Sequence, residues 1–303
     1  MLVVASATLA APSEATTEAT VIPAPPSGRI AFVSRASDQE LFQIHLVNAD
    51  GSGRACLTCA IPTAVDKVHP AWSPDGLRIA FVSRVAADYA QDIFLLRLAD
   101  GIVSNLTEQV MGDLYDPAWS PDGRQIAFVS EHDGVKGLYL MNSDGSDQAR
   151  ALTSGAQPLS GYNPSWSPDG LQIAFVSERD GNPEIYVVAS DGSELARLTN
   201  DPAADWGPVW SPTAPRIAFY RNQDKRSDIY AMNTDGSGQQ NLTNNSDTDN
   251  RYPSWSPDGR YIAFFTDRDR KEIDQIYIMR ADGEDERRLT VDTDQNDSPA
   301  WWL

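Results

Sequence analysis

Two cysteines and three histidines are the scarce reactive groups of this 303-residue chain. Cys56-Leu57-Thr58-Cys59 is a CxxC. Redox-active CxxC pairs sit where a strand passes into a helix; this one ends a short outer strand, so a local disulfide between Cys56 and Cys59 is expected, stapling an outer edge. His45 falls on an expected strand, His69 just ahead of another and His132 in a loop, and no two have metal-ligand spacing. No glycine is followed two positions later by serine, which excludes the nucleophile elbow of α/β-hydrolases. The glycines of Asp50-Gly51-Ser52-Gly53 and Asp235-Gly236-Ser237-Gly238 are assigned to hairpin turns, not to phosphate binding. Asn142-Ser143-Asp144-Gly145-Ser146-Asp147 and Asp267-Arg268-Asp269 do not continue into an EF-hand loop. No catalytic residue, metal site or cofactor is therefore assigned.

With 43 acidic against 24 basic residues, the net charge is -19, which argues against attraction to nucleic acid and for neutral or basic partners. The hydrophobic share, 41%, is that of a folded protein, and no apolar run is long enough to suggest a spanning helix. Residues 2–11 are apolar with small residues at Ala5-Ser6-Ala7, and residues 12–27 are almost all Ala, Pro, Ser, Thr, Glu and Val. Residues 1–27 read as the back half of a secretory signal with a disordered stalk, although the basic start of a signal is missing and the run could be the head of a disordered tail. Export, to the periplasm, cell surface or medium, is the reading taken.

The elements that must position any site come from repetition. Pro-x-Trp recurs at Trp72, Trp119, Trp166, Trp210, Trp255 and Trp301, with spacings of 47, 47, 44, 45 and 46. Ile-Ala-Phe recurs six times, starting at Ile30, Ile79, Ile126, Ile173, Ile217 and Ile262; an Asp-Gly follows each second apolar run, from Asp50 to Asp282, and a Leu-Thr closes each of the six units. Residues 28–303 thus divide into six units of about 46 residues. Each unit reads as four short strands: Pro-x-Trp-Ser, the Ile-Ala-Phe run after a Ser-Pro-Asp-Gly turn, an aromatic strand such as Glu184 to Val188, and a short strand ending in Leu-Thr. Asp-Gly suits tight hairpins, where both central residues can take positive φ. The expected fold is all-β, a six-bladed propeller of four-stranded antiparallel blades. The chain enters at a second strand, Arg29 to Ser34, and leaves on Pro299-Ala300-Trp301, so the two ends should complete one blade. The six tryptophans should pack between blades and serve stability.

The stretch His69 to Phe81, His-Pro-Ala-Trp-Ser-Pro-Asp-Gly-Leu-Arg-Ile-Ala-Phe, and its copies at 116–128, 163–175 and 252–264 resemble the WD-like propeller repeat of the TolB family. The resemblance covers residues 28–303. The fifth unit departs from it, with Trp210-Ser211-Pro212-Thr213-Ala214-Pro215 where the others carry Asp-Gly, so its first hairpin should turn differently. The resemblance implies a periplasmic propeller; TolB carries a preceding α/β domain, binds the peptidoglycan-associated lipoprotein Pal and is exploited by colicins. The 27 residues ahead of the repeats leave no room for such a domain. A similar repeat gates the hydrolase domain of prolyl-oligopeptidase-type enzymes.

One end of the propeller should carry the near-identical turns, the other the diverging loops, where specificity can reside. The loops 59–69, 108–116, 154–163, 200–207, 244–252 and 291–297 hold eleven acidic residues against Lys67 and Arg251. Just ahead of the inner-strand prolines stand His69, Tyr115, Asp116, Tyr162, Asn163, Trp206, Arg251, Tyr252 and Asp297, a candidate binding mouth with Asp116 and Asp297 as steering rim charges and Tyr162 and Trp206 as anchors. Two functions fit: a monomeric, non-enzymatic scaffold binding a protein or peptide, or an extracytoplasmic enzyme or sensor acting on sugar or peptide through loop carboxylates.

Overall fold

A computed structural model describes residues 26–302, apart from 38–39, 62–64, 85–89, 133–134, 147–149, 153–160, 225, 245–246 and 272. The expected signal and most of the stalk lie outside the described residues. In chain order the strands are β1 (Arg29–Arg35), β2 (Gln43–Asn48) and β3 (Ala55–Cys56); β4 (Lys67–Trp72), β5 (Arg78–Arg84), β6 (Gln91–Arg97) and β7 (Val103–Asn105); β8 (Asp113–Trp119), β9 (Gln125–His132), β10 (Val135–Asn142) and β11 (Arg150–Ala151). They continue as β12 (Gly161–Trp166), β13 (Gln172–Ser177), β14 (Glu184–Ala189) and β15 (Ala196–Arg197); β16 (Ala204–Trp210), β17 (Arg216–Gln223), β18 (Arg226–Asn233) and β19 (Gln240–Asn241); β20 (Asn250–Trp255), β21 (Tyr261–Thr266), β22 (Gln275–Arg280) and β23 (Arg287–Arg288); and β24 (Gln295–Trp302). They form six four-stranded antiparallel sheets, and blade 1 has the order β24-β1-β2-β3. The last strand closes the ring by pairing Trp302 with Arg29, Trp301 with Ile30 and Ala300 with Ala31.

The repeated words become repeated contacts. Ile-Ala-Phe forms the second strand of each blade and is fully buried, because both faces of that strand meet a neighbouring blade. Ala31 and Ile44 of blade 1, for instance, cluster with Trp72, Ile79 and Phe81 of blade 2. Each Trp of Pro-x-Trp is at most 9% exposed. Trp72 Nε1 donates to the Ala300 carbonyl at 3.0 Å, Trp119 to Ala71 at 3.2 Å, Trp166 to Ala118 at 3.1 Å and Trp255 to Val209 at 3.1 Å, always one blade back. Where the middle residue is serine the pattern changes: Ser165 Oγ and Ser254 Oγ accept the backbone N–H of Trp210 and Trp301. The buried indole N–H of Trp210 has no partner among the described residues.

The threonine of Leu-Thr locks the outer strands. Thr58, Thr107, Thr199, Thr243 and Thr290 each accept, at Oγ1, the backbone N–H of an isoleucine on the third strand. The Asp-Gly turns differ from expectation, since only the glycines take positive φ, such as 89° at Gly51 and 85° at Gly236. The aspartates instead hold the turn with their side chains, Asp50 Oδ1 accepting from Ser52 N at 2.9 Å and Ser52 Oγ at 2.6 Å. In blade 5 the first hairpin does turn differently: Ser211 Oγ accepts from Ala214 N, and Arg216 N donates to the Ala214 carbonyl. Two histidines also sit differently, because the inner and second strands begin earlier and end later than the motifs suggest: His69 lies within β4 and His132 ends β9.

Candidate binding site in the central channel

Each inner strand carries a bulge at its proline, which has no N–H to give to the ladder. Register with the second strand slips between Val68 and Ala71, Tyr115 and Ala118, Tyr162 and Ser165, Trp206 and Val209, and Arg251 and Ser254, and β24 slips at the same point. The residue before each proline is left-handed: His69 (φ 51°), Asp116 (52°), Asn163 (50°), Gly207 (58°), Tyr252 (53°) and Ser298 (49°). For the five residues with a Cβ this conformation costs about 1–2 kcal/mol each. It turns one residue per blade into the channel, and all six line one cavity there. Gly207 is the exception that fits: a Cβ on it would lie 2.9 Å from Cε1 of Tyr220, which occupies the space instead.

On blades 2 to 4 the ring is a polar relay. His69 Nδ1 lies 3.0 Å from Asp116 Oδ1, and Asp116 Oδ2 accepts from both the backbone and the side-chain nitrogen of Asn163, each at 3.0 Å. Burial works against both charges, but the Asp116 carboxylate raises the His69 pKa, and His69 with the Asn163 N–H holds Asp116 below the usual carboxylate range. For Asp297, one residue ahead of the ring on blade 1, burial outweighs the bond from Ser298 and the charges of His69 and Arg35 and pushes it up to about 6. Asp274 is pushed to about 6 by burial and then by the charge of Asp297.

The ring separates two cavities. The one towards the turn end, about 330 Å³, is lined by the ring, the six prolines, the residues that follow them, Trp119 and Trp166. The one towards the loop end, about 320 Å³, is lined by His69, Tyr115, Asp116, Tyr162, Asn163, Trp206, Arg251 and Tyr252, together with Lys136, Tyr220 and Asn222. Eight of the nine residues expected at the mouth therefore meet in one pocket, whereas Asp297 lines neither cavity. The walls are aromatic. Tyr162 meets Trp206 edge-on at 5.5 Å, and Tyr252 packs between Tyr220 at 5.5 Å and Phe265 at 5.6 Å. Lys136 Nζ sits 4.4 Å from the Tyr162 ring centre and 5.2 Å from that of Tyr115. Burial carries Tyr220 up to about 12.

Lys136, Tyr220 and Asn222 escaped sequence reading because they come from the second and third strands, not from the counted loops. One signal existed: the residue after Ile-Ala-Phe is Val33, Val82, Val129 and Val176 in four blades but Tyr220 and Phe265 in the others. Those two rings flank Tyr252.

The acidic loops need correction as well. Asp116 is no rim charge; its side chain is 12% exposed and faces His69. Asp297 lines neither cavity. Asp205 is clamped by Arg221 at 2.7 and 2.8 Å, Asp201 pairs with Arg221 at 3.0 Å, Asp249 with Arg251 at 3.0 Å, and Asp292 and Asp294 with Arg54. Asp66 and Asp113 accept the backbone N–H of Phe42 and Gln91. The loop charge is largely compensated, by arginines that lie mostly outside those loops. Asp144 and Asp269, in the two acidic stretches that do not continue into EF-hand loops, are likewise engaged, with Ser146 and with Tyr277 and Arg288. Cys56 and Cys59 form a disulfide, with Cα atoms 5.7 Å apart.

The family model of the TolB beta propeller domain matches residues 19–302. The chain belongs to this family. Among solved structures, this TolB-like propeller is similar to TolB from Acinetobacter baumannii, with 26% identity and a TM-score of 0.77 over 93% of this chain and 68% of that one. A protein from Agrobacterium tumefaciens described as TolB is 21% identical, with a TM-score of 0.71 over 91% and 99% of the two chains. An oligogalacturonate lyase in complex with manganese shares the fold at 15% identity and a TM-score of 0.56, over 88% and 74%. No curated protein matches by sequence.

Proposed function

We propose that this TolB-like propeller is an exported, monomeric, non-enzymatic scaffold, formed by residues 28–303, that takes a segment of a protein or peptide into its loop-end pocket. The observation that carries this reading is the convergence of Tyr115, Tyr162, Trp206, Tyr220 and Tyr252, with polar groups between them, on one pocket where the repeats diverge. Rigid aromatics beside cations and an amide give contact area at low entropic cost and fix the orientation of an inserted chain. The net charge of -19 favours a neutral or basic partner at long range, while the pocket itself offers Lys136 and Arg251 to carbonyl or carboxylate groups. The disulfide supports a location outside the reducing cytoplasm.

Affinity capture from an envelope extract tests this, with the full chain as bait and the Tyr162→Ala/Trp206→Ala chain as control. A partner held by the parent and lost by the control supports the reading; identical captures overturn it. A second reading, action on an extracellular sugar or peptide through loop carboxylates, is favoured by Asp116, whose carboxylate lies 3.0 Å from His69 Nδ1 on the wall of the loop-end pocket. Turnover of a polysaccharide or peptide panel that is abolished by Asp116→Asn would select it.

A further inference from the structure

His45 and Cys56 are direct partners across the β2–β3 ladder, and Cys59 returns on the next turn, where its N–H donates to Cys56 Sγ at 3.0 Å. One ring nitrogen of His45 and the sulfurs of both cysteines consequently lie within 4.8 Å of one another. The geometry points to a redox-gated metal site: once the Cys56–Cys59 disulfide is reduced, the two thiolates and His45 bind a thiophilic d10 cation of the Zn²⁺ class on the outer edge of blade 1.

Two thiolates and an imidazole are a ligand set suited to zinc, and a tetrahedral site built on bonds of about 2.0–2.3 Å needs ligand atoms roughly 3.3–3.8 Å apart. The cluster, within 4.8 Å, is about an ångström wider than that scale at most, with the histidine on a paired strand and the cysteines on a three-residue reach, so reduction requires that the freed sulfurs separate and turn towards the imidazole by rotation about their side chains. Half-buried His45 and Cys56 and exposed Cys59 leave the fourth position open to water. Arg54 stands beside the site, its Nε 3.4 Å from His45 Nδ1. Binding through either ring nitrogen ends that long contact, since the other nitrogen must then carry the proton. Arg54 remains neutralised by Asp292 and Asp294 and so does not repel the incoming cation as a bare charge.

The chemistry balances with a dithiol reductant. Its two thiols deliver two electrons and two protons to the disulfide and close to a disulfide themselves; Cys56 and Cys59 then release two protons as their sulfurs bind the cation. One clamp thereby replaces another on the blade that closes the ring.

The test is a titration of the full chain with Zn²⁺ against a chromophoric chelator, before and after reduction by a phosphine that is then removed without air, with Cd²⁺ as a second probe for thiolate-to-metal charge-transfer absorption. The reduced chain should take up one equivalent, the oxidised chain none at this site, and Cys56→Ser/Cys59→Ser should abolish both uptake and the absorption. His45→Ala should weaken binding by roughly tenfold or more while keeping the absorption. His45→Gln, which keeps a polar side chain on the strand, should behave alike if the loss is one of ligation and not of folding. Equal uptake by oxidised and reduced chains, or a reduced His45→Gln chain that binds as tightly as the parent, overturns the proposal.

Discussion

The two cavities on either side of the channel ring have nearly the same volume, about 330 and 320 Å³, and are built by different rules. The turn-end cavity is the repeat seen from inside: the left-handed residue, its proline and the residue after it, blade after blade. The loop-end cavity draws on blades 2 to 6 unequally, with His69 from one, Tyr115 and a third-strand lysine from the next, and Trp206 from another. A shared backbone requirement thus produces the first, and only the second can encode a choice of ligand. Substitutions should sort accordingly, towards stability on one side and towards binding on the other.

The largest stability effect should come from ending the chain after Asp297, which removes the pairs Ala300 with Ala31, Trp301 with Ile30 and Trp302 with Arg29. Thermal unfolding should show a loss exceeding that of any single substitution, and far exceeding removal of residues 1–25; a truncated chain that melts like the parent would refute closure as a source of stability. Next, Trp255→Ala should cost on the order of 3–5 kcal/mol in denaturant unfolding. Trp210 sharpens this, because its indole N–H is buried and unpaired among the described residues, whereas that of Trp255 is bonded to Val209. Trp210→Phe should therefore leave the protein more stable than Trp255→Phe by about 1–3 kcal/mol, and the reverse order would contradict the pairing described.

A smaller effect is set by pH. Asp297 and Asp274 have raised folded values of about 6, so the folded state holds protons there that the unfolded chain has released. Stability contributed by these groups is present below the unfolded value near 4 and is lost as pH rises through 6. Asp297→Asn should remove part of that loss, on the order of 1–3 kcal/mol by pH 7 relative to pH 4, as read from unfolding midpoints across the range. The His69–Asp116 pair acts oppositely at low pH: the lowered Asp116 loses its contribution as pH falls through its folded value, and the raised His69 loses its own as pH rises through the folded value above 6.5. Least in stability and greatest in binding, Trp206→Ala should cost clearly less than Trp255→Ala on unfolding yet weaken a captured partner by about thirtyfold in calorimetry. Unchanged affinity there would move recognition away from the loop end.

The blades were legible because buried strands and their turns repeat the same residues at the same spacing. The mouth residues were legible as a set because they precede the six prolines. Their disposition was not, since nothing in Pro-x-Trp announces a left-handed residue ahead of it, and that conformation alone turns Asp116 from a rim charge into the partner of His69. The pairing of Asp205 with Arg221 was equally hidden, being fixed by register between neighbouring strands. His45 and Cys56 likewise stand eleven positions apart in sequence and meet only through the ladder.

Closure through β24 also has a kinetic side. The bond from the Trp301 indole to the Ser27 carbonyl joins residues 274 positions apart, while the other strand pairings within a blade are between sequence neighbours. Local hairpins can form as the chain emerges, but the contact of highest sequence separation must wait for the last strand, and its loop-closure entropy is met only then. Until that moment β1 presents an unpaired edge, the feature most open to pairing with another chain. The eight residues of β24 therefore act as a timer on solubility during synthesis: slowing their arrival should lengthen the aggregation-prone interval without altering the finished molecule.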